Sequence, residues 1–408
     1  MSKDIRNTKE GSNTEIPFDW HVKKINDIFY FKQGVQYAIE NQFDVSNVSR
    51  LRFIRIVDLT SKNEPIRYVE DPGSEHHLKP DDIFMIRYGT PGILGYGYQG
   101  VIANNLFRII PKKETNNKFF YYQFLFKERQ IKNLASSSTM PALNFGSLST
   151  LEILVPPLPE QTAIANLLST WDSAIQTTNA LIEQKQNRKN WLMQMLLTGK
   201  KRLKGFEKEK WKEVRLGDVF ERVTKKNTER NQTVVTISAQ RGFVMQNDYF
   251  NKIIASELLD NYFLVERGEF CYNKSYSNGY PMGATKRLND FDKAVVTTLY
   301  ICFKIKDYNK SSGDFFEHLF DANALDKGLM TIANEGGRAH GLLNVTTTDF
   351  FNIRINIPGF NEQEEISKIL SVSNNEIQLL QNKLEQLKEQ KKGLMQILLT
   401  GKKRLKVN

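Results

Sequence analysis

Two pairs of loops hold the side chains whose chemistry is most suggestive. The run from Asp82 to Gly92 closes on Arg87, Tyr88, Gly89, Thr90 and Pro91; the run from Glu269 to Gly279 closes on Asn273, Lys274, Ser275, Tyr276, Ser277 and Asn278. Each follows a short apolar stretch with the composition of a strand. Cations, amides, hydroxyls and rings of this kind hydrogen-bond base edges and phosphates, and the interspersed glycines let the backbone come close. A second pair lies further along: Ser136 to Pro141, with Ser138 and Thr139, and Asn334 to His340, with Arg338 and His340. Ordinary hairpin turns draw on the same residue types, so each position taken singly is equally at home in a turn. The candidate nucleic-acid contacts are Arg87, Tyr88, Thr90, Ser138, Thr139, Asn273, Lys274, Ser275, Tyr276, Asn278, Arg338 and His340.

Catalytic arrangements are missing. Gly95 to Gly100 fits a dinucleotide-binding glycine pattern by letter, but the strand-like run Val101 to Ile110 follows where a helix has to begin. Gly199 and Lys200 are followed by Lys201 rather than Ser or Thr, so there is no phosphate-binding loop. No Asn-Pro-Pro-aromatic or Asp-Pro-Pro-aromatic methylation signature occurs, and Pro80-Asp81 lacks the acid-x-Lys that completes a nuclease metal cluster. His21, His76, His77, His318 and His340 show no metal-ligand spacing. The chain reads as a binder, not an enzyme, with no catalytic residue, metal or cofactor of its own.

Composition narrows the partner. Formal net charge is +11 over 408 residues with a pI near 9.3, a balance that favours a polyanion, nucleic acid first. Cys271 and Cys302 sit in strand-like runs, which supports neither a disulfide framework nor a zinc cluster and fits a reducing cytoplasm. No 18-residue window is apolar and uncharged, so no membrane span is expected. The polar stretch 1–16 is expected to be a flexible leader.

The elements that must hold these loops are announced by a duplication. Leu192 to Lys204 and Leu394 to Lys406 differ at one position, Met195 against Ile397, and lie 202 residues apart. Pro159-Glu160-Gln161 answers to Asn361-Glu362-Gln363, Leu143-Asn144 to Leu343-Asn344, and Trp20 to Phe29 resembles Trp211 to Phe220. The ends of the two halves agree and the interiors have diverged, as expected of one scaffold carrying two different readers. Glu160 to Leu197 and Glu362 to Leu399 contain no proline, and their apolar residues recur at alternating intervals of four and three. That 3.5-residue average is the seam of a coiled coil. Its contacts are expected at Ile164, Leu168, Trp171, Ile175 and Ile182 on one helix, and Ile366, Leu370, Ile377, Leu384 and Leu387 on the other. Thr178, Lys185, Lys189 and Lys391 interrupt the seam and suit a single pair of defined register. Gly199 and Gly401 supply the stop signals. Each helix should be about 57 Å long. The basic tails at 200–204 and 402–406 suit either phosphate contact or solvated charge at a helix C-terminus.

Taken together, the Pro159-Glu160-Gln161 and Glu362-Gln363 starts, the paired Leu-Leu-Thr-Gly-Lys-Lys-Arg exits and the tryptophan-led domain starts at Trp20 and Trp211 resemble the specificity subunit of type I DNA restriction-modification systems, over about 17–408. The second junction, Pro358-Gly359-Phe360, departs modestly from the richer proline run of the first. The resemblance implies an α+β chain: two strand-rich mixed α/β target recognition domains joined by two long helices in an antiparallel coiled coil, with an internal pseudo-two-fold. The implied boundaries are a leader at 1–16, recognition domains at 17–157 and 201–357, and spacer helices at 158–200 and 358–408. Each domain would read one half of a bipartite, asymmetric target in double-stranded DNA. The helices would set the gap between half-sites and dock two methylation subunits. Adenine methylation with S-adenosylmethionine would reside in those partners, and ATP- and Mg-dependent cleavage in two restriction (motor-nuclease) subunits. Two other readings stay open: a specificity partner of a type IIB-like methyltransferase-nuclease, and a coiled-coil scaffold with two protein-binding lobes.

Overall fold

A computed structural model describes residues 5–6, 16–61, 63–136, 141–246, 256–277, 279–335 and 343–406. The chain divides into two compact units, one made of 1–179 with 382–408 and the other of 180–381. Each takes part of both long helices, so the units cut across the expected division into globular domains and separate spacers.

The first unit is built on a four-stranded antiparallel sheet in the order Phe29–Gln33, Leu106–Pro111, Ile83–Ile86, Leu94–Gly95. Successive side chains of a strand point to opposite faces, and here both faces are covered. Ile83 and Met85 enter one apolar core while Phe84 and Ile86 enter another. A strand buried on both sides has to be apolar throughout, which is why Ile83–Ile86 reads as an uninterrupted run. A second sheet, Arg67–Glu70, Arg50–Ile54, Gly100–Ile102, His77–Leu78, closes the second core and contains one parallel pairing, Gly100–Ile102 on Arg50–Ile54.

The second unit repeats the first sheet as Phe220–Val223, Ile301–Ile305, Phe270–Asn273, Ala284–Arg287. Again Phe270, Tyr272 and Phe303 face one core while Cys271 and Cys302 face another. The two thiols are register partners and form no disulfide; Cys271 Sγ donates to Cys302 Sγ at 3.3 Å. Where the first unit has its second four-stranded sheet, this unit has two pairs, Val235–Ser238 with Gly242–Met245 and Phe263–Glu266 with Lys293–Val296, joined by a parallel bridge between Val234 and Val295.

Several runs that read as single elements are split. Val101 to Ile110 breaks at Asn104-Asn105, where the Leu106 amide turns back to the Ala103 carbonyl at 2.9 Å. Ala294 to Ile305 breaks at a turn closed by the Tyr300 amide on Thr297. The helical stretches from Phe119 to Asn133 and from Asp314 to Ile332 are each two pieces. Leu51 to Val57 and Phe351 to Ile357 each exchange part of their length for a helix, Ile56–Thr60 and Thr347–Asn352.

The long helices span Leu158–Leu196 and Phe360–Leu398. Proline at the second position of the first, Pro159, is tolerated because the first-turn amides have no intrahelical acceptor anyway. Both helices end identically. Gly199 and Gly401 take φ of 68° and 73°, and the Lys201 and Lys403 amides return to the Met195 and Ile397 carbonyls at 3.0 Å. In the first unit Lys391 pairs with Asp172 at 2.5 Å and Arg404 with Glu160 at 2.6 Å; in the second, Lys185 pairs with Glu376 and Arg202 with Glu362 at 2.6 Å. Numbers rise on one partner as they fall on the other, so the paired segments run antiparallel in each unit. Among the described residues no helix is long and apolar enough to cross a membrane.

Candidate nucleic-acid interface

The repeated motifs turn out to be one assembly, made twice. Glu160 and Glu362 are each only 1% exposed. Glu160 accepts from Trp20 Nε1 at 3.0 Å and from Arg404 at 2.7 and 2.6 Å; Glu362 accepts from Trp211 Nε1 at 3.2 Å and from Arg202 at 2.9 and 2.6 Å. Asp19 adds two further bonds to Arg404, both 2.8 Å, and the arginine holds that carboxyl below its ordinary range. The neighbouring glutamines act alike. Gln161 accepts from the Asn116 amide and donates to the Pro156 carbonyl at 3.0 and 2.9 Å, as Gln363 does with Ser312 and Pro358 at 2.9 and 3.0 Å. The tail of each long helix is thereby bound to the start of the other. Of the basic tails, Arg202 and Arg404 are engaged in internal pairs, and Lys200, Lys201, Lys204, Lys402, Lys403 and Lys406 are exposed.

The seam residues fall into two groups. Ile164 and Leu168 are buried with Leu398 and Leu399 in the core of the first unit, and Ile366 and Leu370 with Leu196 and Leu197 in that of the second. Ile377 and Leu384 are buried; Trp171, Ile175, Ile182 and Leu387 are half-buried. The polar positions are satisfied locally. Asp172 takes Lys391 and the Tyr122 hydroxyl, the latter at 2.6 Å. Thr178 bonds the Ala174 carbonyl at 2.8 Å. Burial lowers the Lys189 pKa.

In each unit the first candidate loop is bonded to the chain just beyond the second. The Arg87 carbonyl accepts from the Leu143 amide at 2.9 Å, and the Lys274 carbonyl from the Leu343 amide at 3.1 Å, so Arg87 and Lys274 occupy matching positions. Gly89 adds a bond to the Pro141 carbonyl at 3.0 Å. The side chains differ in their surroundings. Arg87 donates to Gln33 Oε1 at 2.6 Å and lies over the rings of Phe145 and Tyr88, at 4.1 and 4.9 Å. Lys274 is tied to the Val345 carbonyl at 2.7 Å, and burial, with Arg222 nearby, lowers its pKa. Asn273 caps the Ser275 amide at 3.1 Å, Tyr276 is 68% exposed, and Thr90 is exposed. Ser138, Thr139, Asn278, Arg338 and His340 lie outside the described residues. Reading along the chain misses Gln33, Asn104 and Phe145, which the fold brings to Arg87. Gln33 also donates to the Asn104 carbonyl, and Asn104 to Gln36 Oε1 at 3.3 Å. The one signal was a run of amides at strand ends. No cluster of three or more metal-ligating side chains occurs among the described residues.

Residues 17–186 and 208–389 each match the family model described as the type I restriction modification DNA specificity domain. Among curated proteins the chain is similar to the type I restriction enzyme MjaVIII specificity subunit of Methanocaldococcus jannaschii, 24% identical with 98% of this chain and 96% of the relative covered. It is also similar to the putative type I restriction enzyme MjaX specificity subunit of that organism, 26% identical over 98% and 97%. The fold resembles the type I restriction-modification S subunit from M. genitalium, with TM-score 0.58, 17% identity and coverage of 96% and 98%. A structure described by the assembly and conformational transition of the type I system gives TM-score 0.55, 12% identity and coverage of 94% and 98%.

Proposed function

The chain belongs to the type I restriction-modification DNA specificity family, whose domain it carries twice, and from that premise we propose that it is the DNA-reading subunit of a type I complex. Each unit reads one half of a bipartite, asymmetric target in double-stranded DNA. The observation that carries this reading is the contrast between frame and loops. The Trp-Glu-Arg and Glu-Gln contacts recur bond for bond, while the loops they hold present Arg87 in one unit and Lys274 in the other. Identical frames with unlike readers suit two unlike half-sites.

Exposed lysines contribute affinity through phosphates and counterion release; Arg87, Tyr88, Thr90, Asn273, Lys274, Ser275 and Tyr276 are the described candidates for base edges. The long helices set the gap between half-sites and dock two methylation subunits. Adenine methylation with S-adenosylmethionine belongs to those partners, which flip the base into their own pockets. ATP- and Mg-dependent cleavage belongs to two restriction subunits. The complex works in the cytoplasm, with Cys271 and Cys302 as thiols.

The test is a domain exchange. Replacing residues 17–155 with the equivalent region of a relative, in a host that supplies the methylation subunits, should change one half of the modified motif and leave the other half and the gap intact. A change in both halves, or in neither, rejects the reading.

A further inference from the structure

Four described arginines have a buried Nε without a hydrogen-bond partner: Arg52, Arg87, Arg108 and Arg287. Three of them lie beside a carboxylate, Arg52 at 3.6 Å from Asp58, Arg108 at 2.9 Å from Asp82 and Arg287 at 2.5 Å from Asp314. Arg87 has no ion pair among the described residues. Its orienting partner is a neutral amide, Gln33 Oε1 at 2.6 Å, and its plane is supported by the Phe145 ring at 4.1 Å. Gln33 is itself held by the Asn104 carbonyl. A half-buried guanidinium kept in one orientation, with no carboxylate beside it among the described residues, is arranged to meet an acceptor from outside.

The planar fork narrows that acceptor. With Nε buried and one Nη1 N–H given to Gln33, the fork turned outward is the end-on pair of Nη1 and Nη2 N–H groups, a geometry that matches O6 and N7 of guanine in the major groove. A phosphate takes the same fork without discriminating between sequences, and the salt titration below separates the two acceptors. The surroundings agree, since Gln33, Gln36 and Asn104 put further amides at the same end of the sheet. We propose that Arg87 reads a guanine in the half-site of the first unit, with Gln33 and Phe145 as its positioning residues. The inference rests on the proposed function. At the matching place Lys274 is engaged by the Val345 carbonyl, so the second unit does not read its half-site by the same device.

The experiment compares wild type, Arg87→Ala, Arg87→Lys and Gln33→Ala, each assembled with its methylation subunits. Modified adenines are mapped genome-wide, and duplex binding is titrated at several salt concentrations. The expected result for both Arg87 variants is that one guanine position in one half-site accepts other bases, with discrimination there falling roughly 5- to 150-fold. The other half-site is unchanged, and Gln33→Ala gives a partial loss at the same position. Arg87→Lys keeps the charge and most of the volume, so it decides the matter if Arg87→Ala does not assemble. An unchanged motif overturns the inference and leaves the functional reading standing. So does uniformly weaker binding with a shallower salt dependence, which marks a phosphate contact. A wild-type complex that modifies no bipartite motif overturns both.

Discussion

Single residues carry more of the frame than their exposure in the sequence suggests. Glu160 takes bonds from the buried Trp20 indole and from Arg404, so Glu160→Ala strands the indole N–H while Arg404 keeps Asp19; it should cost about 1–3 kcal/mol, read as a lower urea midpoint for the first unit. Glu362→Ala should do the same to the second. His318 gives a pH test. It is buried, with Ser371 Oγ 3.1 Å from Nε2. Burial lowers its pKa, Lys189 adds to that, and Asp321 and Asp314 oppose it. A depressed folded pKa means the unfolded chain binds the proton more readily. This contribution is therefore intact above the ordinary histidine value of about 6.5 and is lost as pH falls from there through the folded pKa. His318→Gln should flatten the acid side of the stability profile of the second unit, and an unchanged profile would show that other groups govern it. The sequence displays the tryptophans, the Glu-Gln pairs and the arginine tails plainly. It does not display that they touch, because nothing local tells Arg404 to seek Glu160 rather than Glu362.

Elements differ in how openly the chain announces them. The long helices are legible because alternating four-three spacing, a proline start and a glycine exit are all local signals. The short elements are less so: a turn at Asn104-Asn105 inside an apolar run is decided by what the two flanking strands pair with. Arg87 is visible as a cation beside a glycine, whereas Gln33 and Phe145 reach it only through sheet pairing and a loop contact. The glycine exits allow a graded test. A Cβ on Gly401 would sit 2.6 Å from Pro17 Cδ, while one on Gly199 would meet the Trp211 ring at 3.3 Å. Both positions have positive φ, so alanine is strained at each by about 1–2 kcal/mol. Gly401→Ala should exceed Gly199→Ala in lowered thermal midpoint, because a proline ring against the chain yields less than an indole edge.

At the scale of the molecule, charge and chain order matter most. With a net charge of +11, duplex binding by the assembled complex should fall roughly 10³- to 10⁵-fold between about 50 and 200 mM salt if about 6–10 phosphates are contacted. A nearly flat salt response would argue against phosphate-led affinity. Chain order follows from the discontinuity of the first unit, whose core contains Leu398 and Leu399 alongside Trp20 and Phe29. The second unit is continuous from Ala180 to Gln381. On the ribosome, then, the half that emerges first is the last to be completed, and it waits with an open apolar groove while its younger neighbour folds. A premature stop after Gln381 should injure the amino-terminal half: limited proteolysis would clear the region before the first long helix and spare 212–357.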